Sequence, residues 1–285
     1  MIAFIFAVAA AASNALASVL QRRAARDKPR SESFRPALIL DLLRTPVWLG
    51  GIGALIGGFL LQGAALNFGE LAAVQPILVV ELPFTLLVAG LIFHRSLGRR
   101  AWLGAVAVSA GLALALATAA PSGGRSTVPA MVWLVAAAVT VGLVAVLVGL
   151  GKKAAPDSAR AALLGAAAGV GFGFTAALIK GVTGHLSGGV ASFFGSWQLY
   201  AMVVAGIASV YLLQNALQSG TLVAAQPAIT TSDPLVSIGY GVAMFHEQLR
   251  LGIWLVPELV GLALVIAGSA ELARSPLVTG EKDPE

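Results

Sequence analysis

What most constrains this chain is a succession of apolar runs too long to bury inside a water-soluble domain. Nine lie in order: Ile2–Leu20, Pro46–Leu66, Leu71–Phe93, Trp102–Thr118, Pro129–Leu150, Ala161–Ile179, Ala191–Leu213, Leu222–Phe245 and Gly252–Leu272. A bilayer core about 30 Å thick takes about 20 apolar residues to cross as helix. Helices satisfy their own backbone polar groups there, whereas irregular chain does not. Of the 285 residues, 58% are hydrophobic and only 11% charged, where a soluble domain carries charge on roughly a quarter. The sequence therefore reads as all-α: a polytopic membrane helix bundle of about nine spans.

The first run is read as a retained span. A signal peptide has its basic residues before the apolar stretch, and here Arg22 and Arg23 follow it. Arg22–Thr45 is a charged linker. Within it Phe34–Leu43 is apolar on one side but carries Arg35 and Asp41, which suggests an interfacial helix lying in the membrane plane, with a tenth span as the alternative. Pro121–Thr127 reads as a plain turn-rich loop, and Ser275–Glu285 as a disordered polar tail.

Basic residues give the spans a direction. With nine helices and the N-terminus outside, the cytoplasmic loops hold fifteen of the 18 Lys and Arg, leaving only Arg125, Lys180 and Arg250 elsewhere. That asymmetry is the positive-inside pattern. It places the chain in a cytoplasmic (inner) membrane with its C-terminus inside. It also accounts for the net charge of +5 without a nucleic-acid partner.

Two segments echo each other. FLLQGAALNFGELAAVQPILVVELP (Phe59–Pro83) and YLLQNALQSGTLVAAQPAITTSDP (Tyr211–Pro234) align Gln62 with Gln214, Gly69 with Gly220, Gln75 with Gln226, Pro76 with Pro227 and Pro83 with Pro234. Beyond them, Phe93-His94 echoes Phe245-His246, and Gly104 and Gly111 echo Gly261 and Gly268. The offset is five spans, and an odd offset inverts the second copy in the membrane. The expected organisation is an inverted 4+1+4 repeat. Residues 1–120 form the first copy with an interfacial linker at 21–45, 121–155 a connecting helix, 156–273 the second copy, and 274–285 a cytoplasmic tail. Inverted repeats place a binding site near the midplane between the copies.

With these residues in place, the pattern resembles the drug/metabolite transporter superfamily. Gly220–Leu249 and the helix bearing Gly261 and Gly268 look like the end of an EamA-type repeat, with Pro227, Pro234 and Glu247 at its mid-helix Pro and acidic ending. The first copy carries Arg95 where Glu247 would be matched. The nine-span layout and NFGELAAVQP (Asn67–Pro76) are similar to the NIPA-type magnesium-transporter branch. The resemblance implies transport of a small metabolite or ion, usually without ATP.

Ionisable groups inside a span are costly and usually face a cavity or a partner. Two lie near mid-span, Glu81 and Asp233. The neighbouring prolines each free a backbone carbonyl one turn earlier, so Pro76, Pro83, Pro227 and Pro234 are expected helix-break positions beside the carboxyls. Such a site can bind a proton, a monovalent cation or Mg²⁺. The alternative is a neutral, protonated carboxyl bonded between helices. Gln62, Gln75, Gln214 and Gln226 recur at paired positions and can contact substrate or serve as packing glue. Asn14, Thr230, Thr231 and Ser232 extend the polar stripe, although Ser and Thr often bond their own backbone. Glu258 and Lys180, near helix ends, read as rim or snorkelling residues. Gly165, Gly169 and Gly173 form one smooth face for close helix packing, and the five Trp residues read as an interfacial belt.

The chain has no Cys and only three scattered His residues, so no metal cluster, cofactor or enzyme chemistry is expected. The leading reading is a secondary transporter of a small organic solute, an exporter, coupled to protons or facilitative. A Mg²⁺ or other divalent-cation transporter is the runner-up. A non-transporting membrane scaffold or lipid-handling protein is the third. The glycine faces leave a homodimer open.

Overall fold

The computed structural model describes residues 1–26, 45–93, 98–125, 127–154, 157–219, 222–250 and 252–273. The expected interfacial helix at Phe34–Leu43 and the tail from Ser275 lie outside the described residues. The rest is a helix bundle: α1 (Ile2–Arg26), α2 (Pro46–Phe68), α3 (Leu71–Leu78), α4 (Glu81–Phe93), α5 (Arg99–Ala119), α6 (Ala130–Lys153), α7 (Asp157–Thr183), α8 (Gly189–Gly195), α9 (Trp197–Ser219), α10 (Leu222–Phe245) and α11 (Leu255–Ala273). Among the described residues seven stretches are long and apolar enough to cross a membrane. Large apolar side chains such as Leu91, Met131, Val141 and Ile207 are exposed on the bundle, as a lipid-facing surface requires. The chain is an apolar, membrane-type helix bundle.

The third run is not one helix. It divides into α3 and α4 at Val79–Val80, where the Val79, Val80 and Leu82 amides bond back three residues, to Pro76, Ile77 and Val79. Pro83 is the cause: it has no N–H to offer Val79 O, so Leu82 supplies one and tightens the turn. The helix that carries the echoing sequence differs. Pro227 and Pro234 both sit inside a continuous α10, so the expected breaks there are absent; the chain absorbs both prolines within the helix.

Close packing uses small residues. The most extensive pairs are α1 with α2, α7 with α9, α7 with α10, and α5 with α11. In the last pair Gly111 packs on Gly261 and Gly104 on Gly268. Gly165, Gly169 and Gly173 lay α7 directly on α10, where backbone atoms of Ala225 and Asp233 occupy the space a Cβ would take. In lipid such backbone approach, rather than exclusion of water, holds helices together.

Two expectations change at the end of the bundle where α2 meets α3. Ser122–Gly123 (β1) pairs antiparallel with Glu247–Gln248 (β2), so the supposed plain loop is a strap. Trp133 belongs to no belt: it is buried, with edge contacts to Phe174, Trp197 and Phe245.

Candidate functional site

Two polar assemblies lie within the bundle, one at its middle and one beneath the strap. The middle one comprises two hydrogen-bonded pairs, Asn14 of α1 with Glu81 of α4 and Ser237 with Asp233 on α10. Glu81 is the first residue of α4, so the break at Val79–Val80 brings its carboxyl to a helix start, where it hydrogen-bonds the side chain of Asn14. Asp233 accepts a hydrogen bond from Ser237 Oγ at 3.3 Å and is near enough to Glu81 for their charges to interact. Ser237 is fully buried, whereas Glu81 and Asp233 each keep some accessible surface.

Glycines make this convergence possible. A Cβ on Gly58 would collide with the Asn14 amide, so α2 leaves Asn14 room only as glycine. Cβ atoms on Gly169 and Gly173 would sit 3.0 Å from Asp233 N and 3.1 Å from Asp233 O. The chemistry of the cluster is two carboxyls with an amide and a hydroxyl. Each pair offers hard oxygen donors of the kind that take up a proton or a cation. Both ionisable groups at mid-span are acidic.

The other expected residues fall into place around it. Gln75 is buried on α3, and its Nε2 has no hydrogen-bond partner among the described residues. Gln62 is partly buried on α2 and Thr231 on α10. Thr230 is buried on α10. Ser232 bonds its own helix at Ala228 O, 2.7 Å away, and its Oγ fills the notch at Gly169, a packing role. Gln214 and Gln226 lie on α9 and α10; their side chains lie outside the described residues. Pro76 is buried within α3, and Pro83 is the third residue of α4. Between them α4 and α5 leave an apolar cleft of about 600 Å³ lined by Val80, Pro83, Phe84 and Trp102.

The second assembly was not expected. Lys180 does not snorkel at a rim: its Nζ lies 2.6 Å from Glu247 Oε1, donates to Gly69 O at 3.1 Å and stands 5.2 Å from the Phe245 ring centroid. Glu247 has a fully buried side chain. Its carboxylate also accepts the Leu71 and Ala72 amides, at 2.6 and 2.8 Å. Those are orphan donors of the first turn of α3. Among the described residues the local N-cap, Glu70, makes no side-chain capping bond, and a residue of the C-terminal half of the chain caps a helix of the N-terminal half. His246 at φ +55 turns the chain so that Glu247 points inward, and Gly241 leaves room for the carboxylate. Beside this pair is a polar pocket of about 220 Å³ lined by Gly69, Glu70, Gly124, Arg125 and Lys180. Helix parity offered a signal: α7 and α10 run the same way, so Lys180 and Glu247 share an end.

The chain is similar to an uncharacterized protein of Corynebacterium glutamicum, 26% identical over 287 residues that cover 99% of this chain and 98% of that protein. No family model matches the chain, and no solved structure matches it.

Proposed function

We propose that the chain is a secondary transporter of a small organic solute across the cytoplasmic membrane, an exporter of the drug/metabolite transporter type working by alternating access. The observation that carries this is the Asn14–Glu81 and Asp233–Ser237 cluster. It takes one carboxyl from each half of the chain, at mid-span, beside an interrupted helix. Interrupted helices at the midplane are the usual makings of a transporter site. A neutral packing core in lipid has no use for two interacting carboxyls, each expensive to insert. Glu81 and Asp233 take up a proton or a cationic group when the site faces one side and release it on the other.

The inverted repeat supports the same reading. Gly111 on Gly261 and Gly104 on Gly268 are reciprocal contacts between aligned positions, as a two-fold-related antiparallel pair would make. In this reading the N-terminus and the strap lie outside and the C-terminus inside. Reconstituted protein should move solute, and Glu81→Gln or Asp233→Asn should cut flux about tenfold or more, the scale of losing one charge-assisted interaction. Wild-type flux in both variants would remove the carboxyls from the mechanism.

The oxygen donor set also favours a second reading, a Mg²⁺ transporter. Proteoliposomes that take up Mg²⁺ with the same dependence on Glu81 and Asp233 would replace the organic solute with the ion.

A further inference from the structure

Beyond the cap that Glu247 gives α3, its ion pair with Lys180 adds little as a structural tie. A buried ion pair is a poor stabiliser, and apolar residues of similar volume usually do as well or better. What it offers instead is a set of bonds that water can take over when the pair separates. Its setting suits separation. Water has a way to it through the 220 Å³ polar pocket that Lys180 lines. The helix it holds, α3, is eight residues long, bounded by the Gly69–Glu70 turn on one side and the Val79–Val80 break on the other. Such a segment can move as a unit without unwinding a neighbour. The partners also belong to different halves of the chain: Glu247 and Lys180 to the second, and the Leu71 and Ala72 amides with the Gly69 carbonyl to the first.

We propose that the Lys180–Glu247 pair, clasping the start of α3, is the outer gate of the transport path. With the bonds made, α3 is held against α10 and the Glu81–Asp233 cluster is sealed from the outside. When Glu247 releases the Leu71 and Ala72 amides, α3 swings from α10 and the cluster opens outward. This inference rests on the transporter reading for its meaning, but its structural content can be tested without any flux.

The chain has no cysteine, so introduced thiols report cleanly. Gln75 is buried on α3 behind the clasp. In the full-length Gln75→Cys protein, a membrane-impermeant maleimide should label the introduced thiol slowly, read at that position by mass spectrometry. Adding Glu247→Ala should raise the rate about tenfold or more, the scale of losing a charge-assisted bond.

A covalent clasp separates opening from misfolding. A Cβ on Gly241 would lie 3.3 Å from Ala72 Cβ, close to the Cβ spacing of a disulfide, about 3.5–4.5 Å, and Glu247→Ala clears the carboxylate from that space. In the Glu247→Ala, Gln75→Cys background, oxidised Ala72→Cys/Gly241→Cys should return labelling to the slow rate. Dithiothreitol, removed before the maleimide is added, should restore the fast one. Unchanged labelling on removing Glu247, or fast labelling that the disulfide does not suppress, overturns the gate. If labelling follows the clasp while no wild-type flux is found for solutes or Mg²⁺, the clasp stands as what closes α3 on α10 and the transport reading fails.

Discussion

The carbonyl of Gly261 lies 2.5 Å from where a Cβ on Gly111 would sit, and the carbonyl of Gly111 lies 2.6 Å from where a Cβ on Gly261 would sit. Each residue occupies the other's missing side chain. The obstruction in both cases is backbone, which cannot rotate away. Gly111→Leu or Gly261→Leu should therefore force α5 and α11 apart and lower the thermal midpoint in detergent by several degrees, the scale of about 1–3 kcal/mol of overpacking. Among the described residues Gly142 on α6 has nothing within 4 Å of its Cβ position, so Gly142→Ala should be neutral or slightly stabilising. Equal midpoints for the two kinds of variant would mean that α5 and α11 do not meet at these residues.

Ser237→Ala should impair transport without unfolding the protein. It leaves Asp233 without the 3.3 Å hydrogen bond while removing little volume. Asn14→Leu should do the same to Glu81. We expect a several-fold fall in flux for each, and less than additive loss when either is combined with the carboxyl it serves, because the pair acts as one unit. Fully additive losses would show that Asn14 and Ser237 act elsewhere.

Pro83→Ala tests the interruption of the third span. An amide restored at residue 83 can reach Val79 O and extend α4 toward α3. The variant should be as stable as wild type or more so, yet carry flux poorly, since Glu81 would no longer begin a helix. Unimpaired flux in a folded Pro83→Ala protein would make the break incidental.

Trp133→Ala should be among the most destabilising single changes. The ring is buried and meets Phe174, Trp197 and Phe245 edge-on, and truncating so large a group leaves a cavity worth about 3–5 kcal/mol. Trp102→Ala, at an exposed position, should change the midpoint little. A thermal-shift comparison of the two checks whether Trp133 is core or belt.

Seven of the nine expected spans coincide with stretches long and apolar enough to cross a membrane among the described residues, and these were legible because a bilayer imposes length and apolarity directly on sequence. Glu81 and Asp233 stood out because charge is rare in such runs, and Asn14 because it belonged to the same polar stripe. Ser237 was missed: serine in an apolar helix usually bonds its own backbone, as Ser232 does. The difference between the third span and α10 was also hidden. Both carry two prolines, and whether a helix breaks at one depends on how its neighbours re-bond the freed carbonyl, which sequence does not record. Lys180 reads in the sequence as a rim residue and Glu247 as the acidic ending of the EamA-like segment, and neither reading pairs them. Only the fold brings Glu247 to the Leu71 amide, 176 positions away.

The eight residues of α3 span about 12 Å at 1.5 Å per residue, with Glu247 bonded at one end and Glu81 just past the other. A rod that short bends little, so a displacement at its Leu71 end arrives at its Leu78 end nearly whole. Thermodynamic linkage then runs both ways. Whatever binds Glu81 and favours one position of the rod must change the strength of the Glu247 bonds by the same free energy, and anything that strains those bonds from outside must alter affinity at the midplane.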